Sequence, residues 1–296
     1  MNRYPAPAQP IVAAMLEAAA KAPTRAVAFQ GAPGANSHIA VLQDQPDALP
    51  VPCYSFEDAI DAVRDGQADS ALIPIENSLH GRVADIHFLL PESGLVITGE
   101  FFLPIKYALM GTGRLEDVRQ AISHPQALGQ CRKWLRTHAI DPVPFPDTAG
   151  AAARAVELND PAIAAIAPPG AAEIYGLTTL AEALEDSDDN MTRFVRLARS
   201  GAAAPNEGLV MTSFIFEVKN VPAALYKALG GFATNGVNMT KLESYQRGAS
   251  FAATTFFADI EGHPEDPAVA RALEELSFYS RTVRLLGTYK QARKRG

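Results

Sequence analysis

Between residue 25 and about residue 200 the chain repeats one unit: a short apolar run, a turn of small polar residues, and a stretch carrying Ala and Leu on one helical face. Few architectures accept that alternation. A strand buried on both faces needs helices to cover it, so the pattern predicts an α/β fold. Val27-Ala28-Phe29 leads into Gly31-Ala32-Pro33-Gly34-Ala35-Asn36-Ser37, and Ala71-Leu72-Ile73-Pro74-Ile75 leads into Glu76-Asn77-Ser78. Residues 118–122 lead into Ser123-His124-Pro125-Gln126, and residues 143–145 into Asp147-Thr148-Ala149. In each case a hydroxyl or amide stands where a strand is expected to end and a helix to begin.

The helices are legible from spacing. Phe56, Ile60 and Val63 fall at i, i+4 and i+7, one apolar stripe, and residues 127–138 repeat the idea with Leu128, Cys131 and Leu135. Residues 200–208 are small and polar with Gly and Pro, which marks a linker. Beyond it the order is strand 213–218, a helix opened by Pro222 through Leu225 and Leu229, strands 237–244 and 251–260, helix 268–276 and strand 282–289. That βαββαβ order is a ferredoxin-like unit, with a hairpin expected through Gln246-Arg247-Gly248.

With 296 residues, two or three cores are expected, and 48% hydrophobic with 20% charged residues is the composition of a folded protein. The net charge of −7, from 26 Lys and Arg against 33 Asp and Glu, argues against nucleic acid or an anionic membrane as the main partner. Cys53 and Cys131 stand far apart without metal-ligand spacing, so no disulfide framework or zinc site is expected. They read as small buried hydrophobes, Cys53 beside a strand and Cys131 on a helix. Residues 11–16 are apolar, but Glu17 and Lys21 interrupt the run; a short amphipathic helix is expected rather than an export signal, and the expected compartment is the cytoplasm.

Ser37, Ser78, Ser123 and Thr148 stand at the strand-to-helix turns. Taken singly, each reads as an ordinary helix cap, worth about 1 kcal/mol. Together, four such turns at the carboxyl ends of strands can converge on one crevice, where helix N-termini favour an anion. Asn190-Met191-Thr192-Arg193-Phe194 adds an amide, a hydroxyl and a guanidinium ahead of an apolar run, a set suited to a small carboxylate. The competing reading is a solvated loop, because Glu185-Asp186-Ser187-Asp188-Asp189 precedes it and could hold Arg193 in a surface ion pair. The glycine turn at residues 31–34 lacks a Walker lysine and the dinucleotide spacing, which excludes nucleotide binding there. His80 and His124 lie nearest the turns and read first as structural hydrogen-bonding residues, while Trp134 and Phe101-Phe102 read as core.

In order and spacing, residues 31–37, Ile75-Glu76-Asn77-Ser78, Gly99-Glu100, residues 123–128, residues 172–177 and residues 190–194 resemble the prephenate dehydratases. The tail from Thr212 resembles the ACT regulatory domain that commonly follows them. The resemblance implies two α/β lobes like those of type II periplasmic binding proteins, at residues 25–103 with 192–200 and at 104–191. An N-terminal arm (1–24), a linker (201–209), an ACT domain (210–290) and a basic tail (291–296) complete the expected organisation.

The activity implied is decarboxylating dehydration of prephenate to phenylpyruvate on the route to L-phenylalanine, with no cofactor and no metal. Thr192 is then expected at the leaving hydroxyl and Arg193 at a carboxylate. Asn77, Ser78, Ser123, Gln126, Thr148 and Asn190 line the crevice, Ser37 stands at its edge, and Phe194 packs beneath. L-Phenylalanine is the expected effector, at Asn220, Ala223, Ala224 and Leu225 with Glu243 and Ser244, in a homodimer or homotetramer. The chain departs from the family pattern at Asp147, where many relatives have Ser, and in the effector segments, which read Ala223-Ala224-Leu225 and Glu243-Ser244-Tyr245-Gln246 rather than Gly-Ala-Leu and Glu-Ser-Arg-Pro. Two alternatives stay open: arogenate dehydratase activity, and a non-catalytic amino-acid sensor or solute-binding protein of the same fold.

Overall fold

The apolar runs read as strands are strands in the computed structural model, which describes residues 3–245 and 255–295. The chain begins with α1 (Gln9–Lys21), β1 (Ala26–Gln30), α2 (Asn36–Asp44), β2 (Leu49–Cys53), α3 (Phe56–Arg64), β3 (Ser70–Asn77) and β4 (Gly81–Arg82). It continues through α4 (Ala84–Glu92), β5 (Val96–Pro104), β6 (Ala108–Gly111), β7 (Gln120–Ser123), α5 (Pro125–Gln130), α6 (Arg132–Thr137) and β8 (Asp141–Pro144). Next come α7 (Thr148–Leu158), β9 (Ile163–Ala167), α8 (Gly170–Tyr175), β10 (Thr178–Glu182) and β11 (Met191–Ala198). The last run is β12 (Val210–Val218), α9 (Ala224–Thr234), β13 (Met239–Tyr245), β14 (Thr255–Glu261), α10 (Pro267–Tyr279) and β15 (Ser280–Lys290).

These elements fall into two units, residues 1–82 with 102–194 and residues 83–101 with 195–296, the chain passing from one to the other after β4 and again within β5 and β11. The first sheet has the order β2-β1-β3-β11-β5, with β4 on β3; β1 lies parallel to both β2 and β3. The second sheet, wholly in the first unit, has the order β10-β6-β9-β7-β8. It is antiparallel at β10, β6 and β9 and parallel from β9 through β7 to β8. The expected α/β class is therefore present in these two sheets.

Local sequence accounts for much of this. A capping box, in which Ser55 accepts from Asp58 N while Asp58 accepts from Ser55 N, starts α3, and its buried face carries Ile60 and Val63 as the spacing predicts. Five alanines of α7 are buried (Ala149, Ala151, Ala152, Ala153 and Ala155), so this helix lies close against β9. The expected single helix 127–138 is instead two: Cys131, at φ −109° and ψ 16°, divides α5 from α6. Cys131 N to Ala127 O and Leu135 N to Cys131 O bridge the break, so Leu128, Cys131 and Leu135 remain on one buried stripe. Gly129 within α5 weakens the helix just before the break. At the N-terminus, α1 packs on β2 while the turn Ala6–Ala8 packs on α7, with Ala8 fully buried.

The second unit carries the expected βαββαβ order as an antiparallel sheet, β13-β14-β12-β15. Alternation sorts its residues: Phe214, Phe216, Phe256 and Ala258 face a core shared with Ala228, Phe232 and Leu276 of α9 and α10. Phe257 points the other way and meets His87 of α4 with ring centroids 5.3 Å apart. The β13–β14 pairing is present, whereas the hairpin residues 246–248 lie outside the described residues. Among the described residues no helix is long and apolar enough to cross a membrane.

Ala223, which caps α9, has φ 62°. An L-residue in this left-handed region is strained by roughly 1–2 kcal/mol, which is why glycine is preferred there. Ala223→Gly is accordingly expected to stabilise the protein by about 1 kcal/mol, read as a raised denaturant midpoint at unchanged slope.

Candidate active site

The end of β3 and the start of β11 are stitched together by short side chains. Ser78 N donates to Met191 O at 2.8 Å, and Ser78 Oγ donates to Asp189 O at 2.8 Å while accepting from Met191 N at 2.9 Å. Asn77 is the centre of the arrangement. Its Nδ2 donates to Asn190 Oδ1 at 2.7 Å, to Thr192 Oγ1 at 3.0 Å and to Met191 O at 3.2 Å. Its Oδ1 accepts from the backbone N–H groups of Leu79 and His80, both at 3.0 Å. Two backbone donors thus settle which end of the amide is oxygen, and the nitrogen must face Thr192. The consequence is chemical: Thr192 Oγ1 accepts from Asn77, so its own hydrogen points elsewhere. Asn190 is 2% exposed, and its Nδ2 has no hydrogen-bond partner among the described residues. A buried donor left in that state is a place for a ligand acceptor.

Arg193 is buried beside this network, 3% exposed, and donates from Nη1 to Glu76 Oε1 at 2.8 Å. The acidic residues 185–189 do not supply its partner in this pair, so the surface-loop reading is overturned. Glu76 escaped the set of candidate residues drawn from the sequence. The available signal was its place in Ile75-Glu76-Asn77-Ser78, one residue from Asn77. Phe194 is fully buried.

None of the four turn hydroxyls is a helix cap. Ser37 is the second residue of α2 and is buried, and the cap position belongs to Ala35. Ser123 ends β7, fully buried, and its Oγ donates to Ile166 O of the neighbouring strand. His124 caps α5 instead, accepting from Gln126 N at 3.3 Å, and Gln126 itself is exposed. Burial, then the proximity of His80, holds the His124 imidazole below its ordinary pKa. Thr148 is the buried first residue of α7, which Asp147 caps. Ser78 does not precede a helix at all: its turn runs into β4, because Ser78 is spent on pinning β11.

Asp147, the charged departure from the family pattern, is turned onto backbone donors. It accepts from Gly150 N at 2.7 Å and from Ala32 N at 3.2 Å, tying the turn after β1 to the start of α7. Burial pushes its carboxyl above the usual range, and these N–H groups oppose the shift. Asp147→Ala is expected to cost about 1–2 kcal/mol of stability through the lost cap, and Asp147→Asn much less. Because the folded carboxyl binds its proton more tightly than the unfolded one, its contribution is full at acid pH and lost as pH rises through the folded pKa. Denaturation series at several pH values are therefore expected to show Asp147→Asn gaining on the parent protein as pH rises.

The effector segments lie in the second unit: Asn220 and Ala223 are exposed ahead of α9, Ala224 and Leu225 open it, and Glu243 and Ser244 lie on β13. Among the described residues no group of His, Cys, Asp or Glu is placed to hold a metal ion.

Comparison with known proteins gives a consistent set. The family description "Prephenate dehydratase" matches residues 27–202. A "Bifunctional N-acyl-homoserine lactone acylase/prephenate dehydratase" of Komagataeibacter europaeus is 48% identical over 268 residues, 90% of this chain and 95% of that protein. "Arogenate dehydratase/prephenate dehydratase 2, chloroplastic" of Arabidopsis thaliana is 37% identical over 276 residues, 89% of this chain and 72% of that one. The solved structure of prephenate dehydratase in complex with L-Phe from Arthrobacter aurescens superposes with a TM-score of 0.84 at 35% identity, covering 91% of each chain.

Proposed function

Because the chain belongs to the prephenate dehydratase family of carbon–oxygen lyases, we propose that it converts prephenate to phenylpyruvate, with release of carbon dioxide and water, in L-phenylalanine synthesis. The observation that carries the reading is the Asn77 amide, which accepts two backbone N–H groups and presents its nitrogen to Thr192 Oγ1 and Asn190 Oδ1. The substrate has two carboxylates and a ring hydroxyl. As the bond from the ring to one carboxylate breaks, its electron pair enters the ring and the opposite hydroxyl departs with the pair of its C–O bond. One proton taken up makes that hydroxide water, and the ring becomes aromatic.

Thr192, whose oxygen accepts from Asn77, directs its hydrogen to the departing oxygen. A threonine hydroxyl is too weak an acid to supply the net proton efficiently, so it stabilises the developing charge by hydrogen bonding. Arg193, aimed by Glu76, provides positive charge for a carboxylate, and Asn190 Nδ2 donates to a substrate oxygen. Ser37, Ser78, Ser123, Gln126, Thr148 and Phe194 complete or support the walls around residues 25–200.

The 37% identical Arabidopsis protein, whose name joins both activities, favours arogenate as a second substrate, since arogenate bears an amine where prephenate bears a keto group. The 48% identical relative adds a third assay, hydrolysis of an N-acyl-homoserine lactone. Regulation by L-phenylalanine is proposed at Asn220, Ala223, Ala224, Leu225, Glu243 and Ser244 of an ACT domain at residues 210–290. The Arthrobacter structure, a prephenate dehydratase in complex with L-Phe, supports it. Pairing of ACT domains in a cytoplasmic homodimer or homotetramer completes the proposal.

Ultraviolet detection of phenylpyruvate from prephenate, with and without L-phenylalanine, tests catalysis and control together. Steady turnover is expected, altered by the amino acid; absence of phenylpyruvate would remove the dehydratase reading. The same assay with arogenate, followed as phenylalanine formation, ranks the two substrates.

A further inference from the structure

His80 stands three residues beyond Asn77, exposed on the turn between β3 and β4 of the first sheet. Its Nδ1 lies 3.2 Å from Asn77 Oδ1 and 3.0 Å from the side-chain amide nitrogen of Gln130. Gln130 is the last residue of α5, a helix packed on β7, β8 and β9 of the second sheet. The imidazole therefore joins the amide at the end of one sheet to an amide on a helix of the other.

One ring nitrogen between two amides sets a hydrogen-bonding constraint. Asn77 Oδ1 can only accept, so Nδ1 must carry a hydrogen to bond it. The Gln130 amide then has to present an oxygen. Its oxygen and nitrogen exchange places on a half-turn of the last side-chain bond, and Gln130 Oε1 is buried with no partner among the described residues. Turned in this way, Nδ1–H is shared between two amide oxygens, and the Asn77 amide gains a third donor holding its orientation.

We infer that His80 is a positioning residue for the dehydration, its Nδ1–H tying Gln130 to Asn77 and so holding the Asn77 nitrogen against Thr192 Oγ1. The inference rests on the dehydratase reading above. Nothing in it requires His80 to touch substrate. A side chain that works by aiming Thr192 acts on the reacting geometry, so its loss is felt in kcat more than in KM. An exposed residue with a purely structural role would change neither selectively.

Steady-state kinetics on prephenate test it with His80→Leu, His80→Asn, Gln130→Leu and the double variant. His80→Leu is expected to lower kcat about tenfold, the scale of one hydrogen bond of roughly 1 kcal/mol or slightly more, with a smaller change in KM. His80→Asn, whose amide nitrogen falls where Nδ1 lies, is expected to recover most of the loss. The double variant is expected to be no slower than His80→Leu alone, because both changes break one linkage. A parental kcat in His80→Leu, failure of the Asn variant to recover activity, or losses that multiply in the double variant would each overturn the inference. If the parental protein itself leaves prephenate unchanged, the dehydratase reading fails instead, which separates the two.

Discussion

Thr192→Val is expected to lower turnover of prephenate by about 10²- to 10⁴-fold, or roughly 3 to 5 kcal/mol of barrier, while the protein stays folded. Valine keeps the shape and the branched Cβ that β11 accommodates, and removes only the hydroxyl. Two effects add. The departing oxygen loses its hydrogen-bond donor, and Asn77 Nδ2 loses the acceptor it holds at 3.0 Å. The second effect is shared with Asn190 Oδ1 and Met191 O, which keep the amide satisfied, so the loss falls on catalysis rather than on folding. Phenylpyruvate formation measured beside a thermal unfolding curve separates the two. Parental turnover by Thr192→Val would mean that another group meets the leaving hydroxyl.

The next largest effect concerns acid stability. His38 is buried, stacks on Phe29 with ring centroids 5.3 Å apart, and accepts from Gly34 N through Nδ1 at 3.0 Å. Burial lowers its pKa from 6.5 to about 4. A folded pKa below the unfolded one means that the unfolded chain binds the proton more readily. The contribution of neutral His38 is therefore fully present above pH 6.5 and lost as pH falls from 6.5 through about 4. Its full size is about 3 kcal/mol, at 1.36 kcal/mol for each unit of difference. Asp147 works in the opposite direction over acid pH, its carboxyl being raised. His38→Asn, which can still accept from Gly34 N, is expected to flatten the fall in unfolding free energy between pH 6.5 and 4 relative to the parent protein. Equal slopes for the two proteins would show that His38 titrates normally in the folded state. Protonation of Nδ1 also removes the bond by which His38 holds Gly34 N in the turn ahead of α2.

How far the candidate site was legible depended on the range of the interaction. The strand runs, the stripe Phe56, Ile60 and Val63, and the βαββαβ order after residue 210 follow from periodicities of two and 3.6, which neighbours within a few residues establish. The residues 190–194 were recognisable as a group because their types and spacing are themselves the signal. Helix starts were harder. A hydroxyl beside a turn looks like a cap in any sequence, yet Asp147 and His124 hold two of the caps, while Ser123 spends its hydroxyl on Ile166 O. Which of two adjacent polar residues turns inward depends on the strand packed behind them. The helix break at Cys131 belongs with these, since Gly129 weakens the helix locally and burial of Cys131 decides the outcome.

By itself the sequence determined the α/β class, the order of elements and the family, because each is carried by local pattern. Only the tertiary structure decided that Glu76 takes Arg193, that Ser78 pins β11 and that Asn77 turns its nitrogen to Thr192. Those partners stand more than 110 residues apart in the chain. No spacing rule connects such positions. What connects them is the adjacency of β3 and β11 in the sheet, which brings polar groups within 3 Å of each other and leaves each one to find its donor or acceptor there.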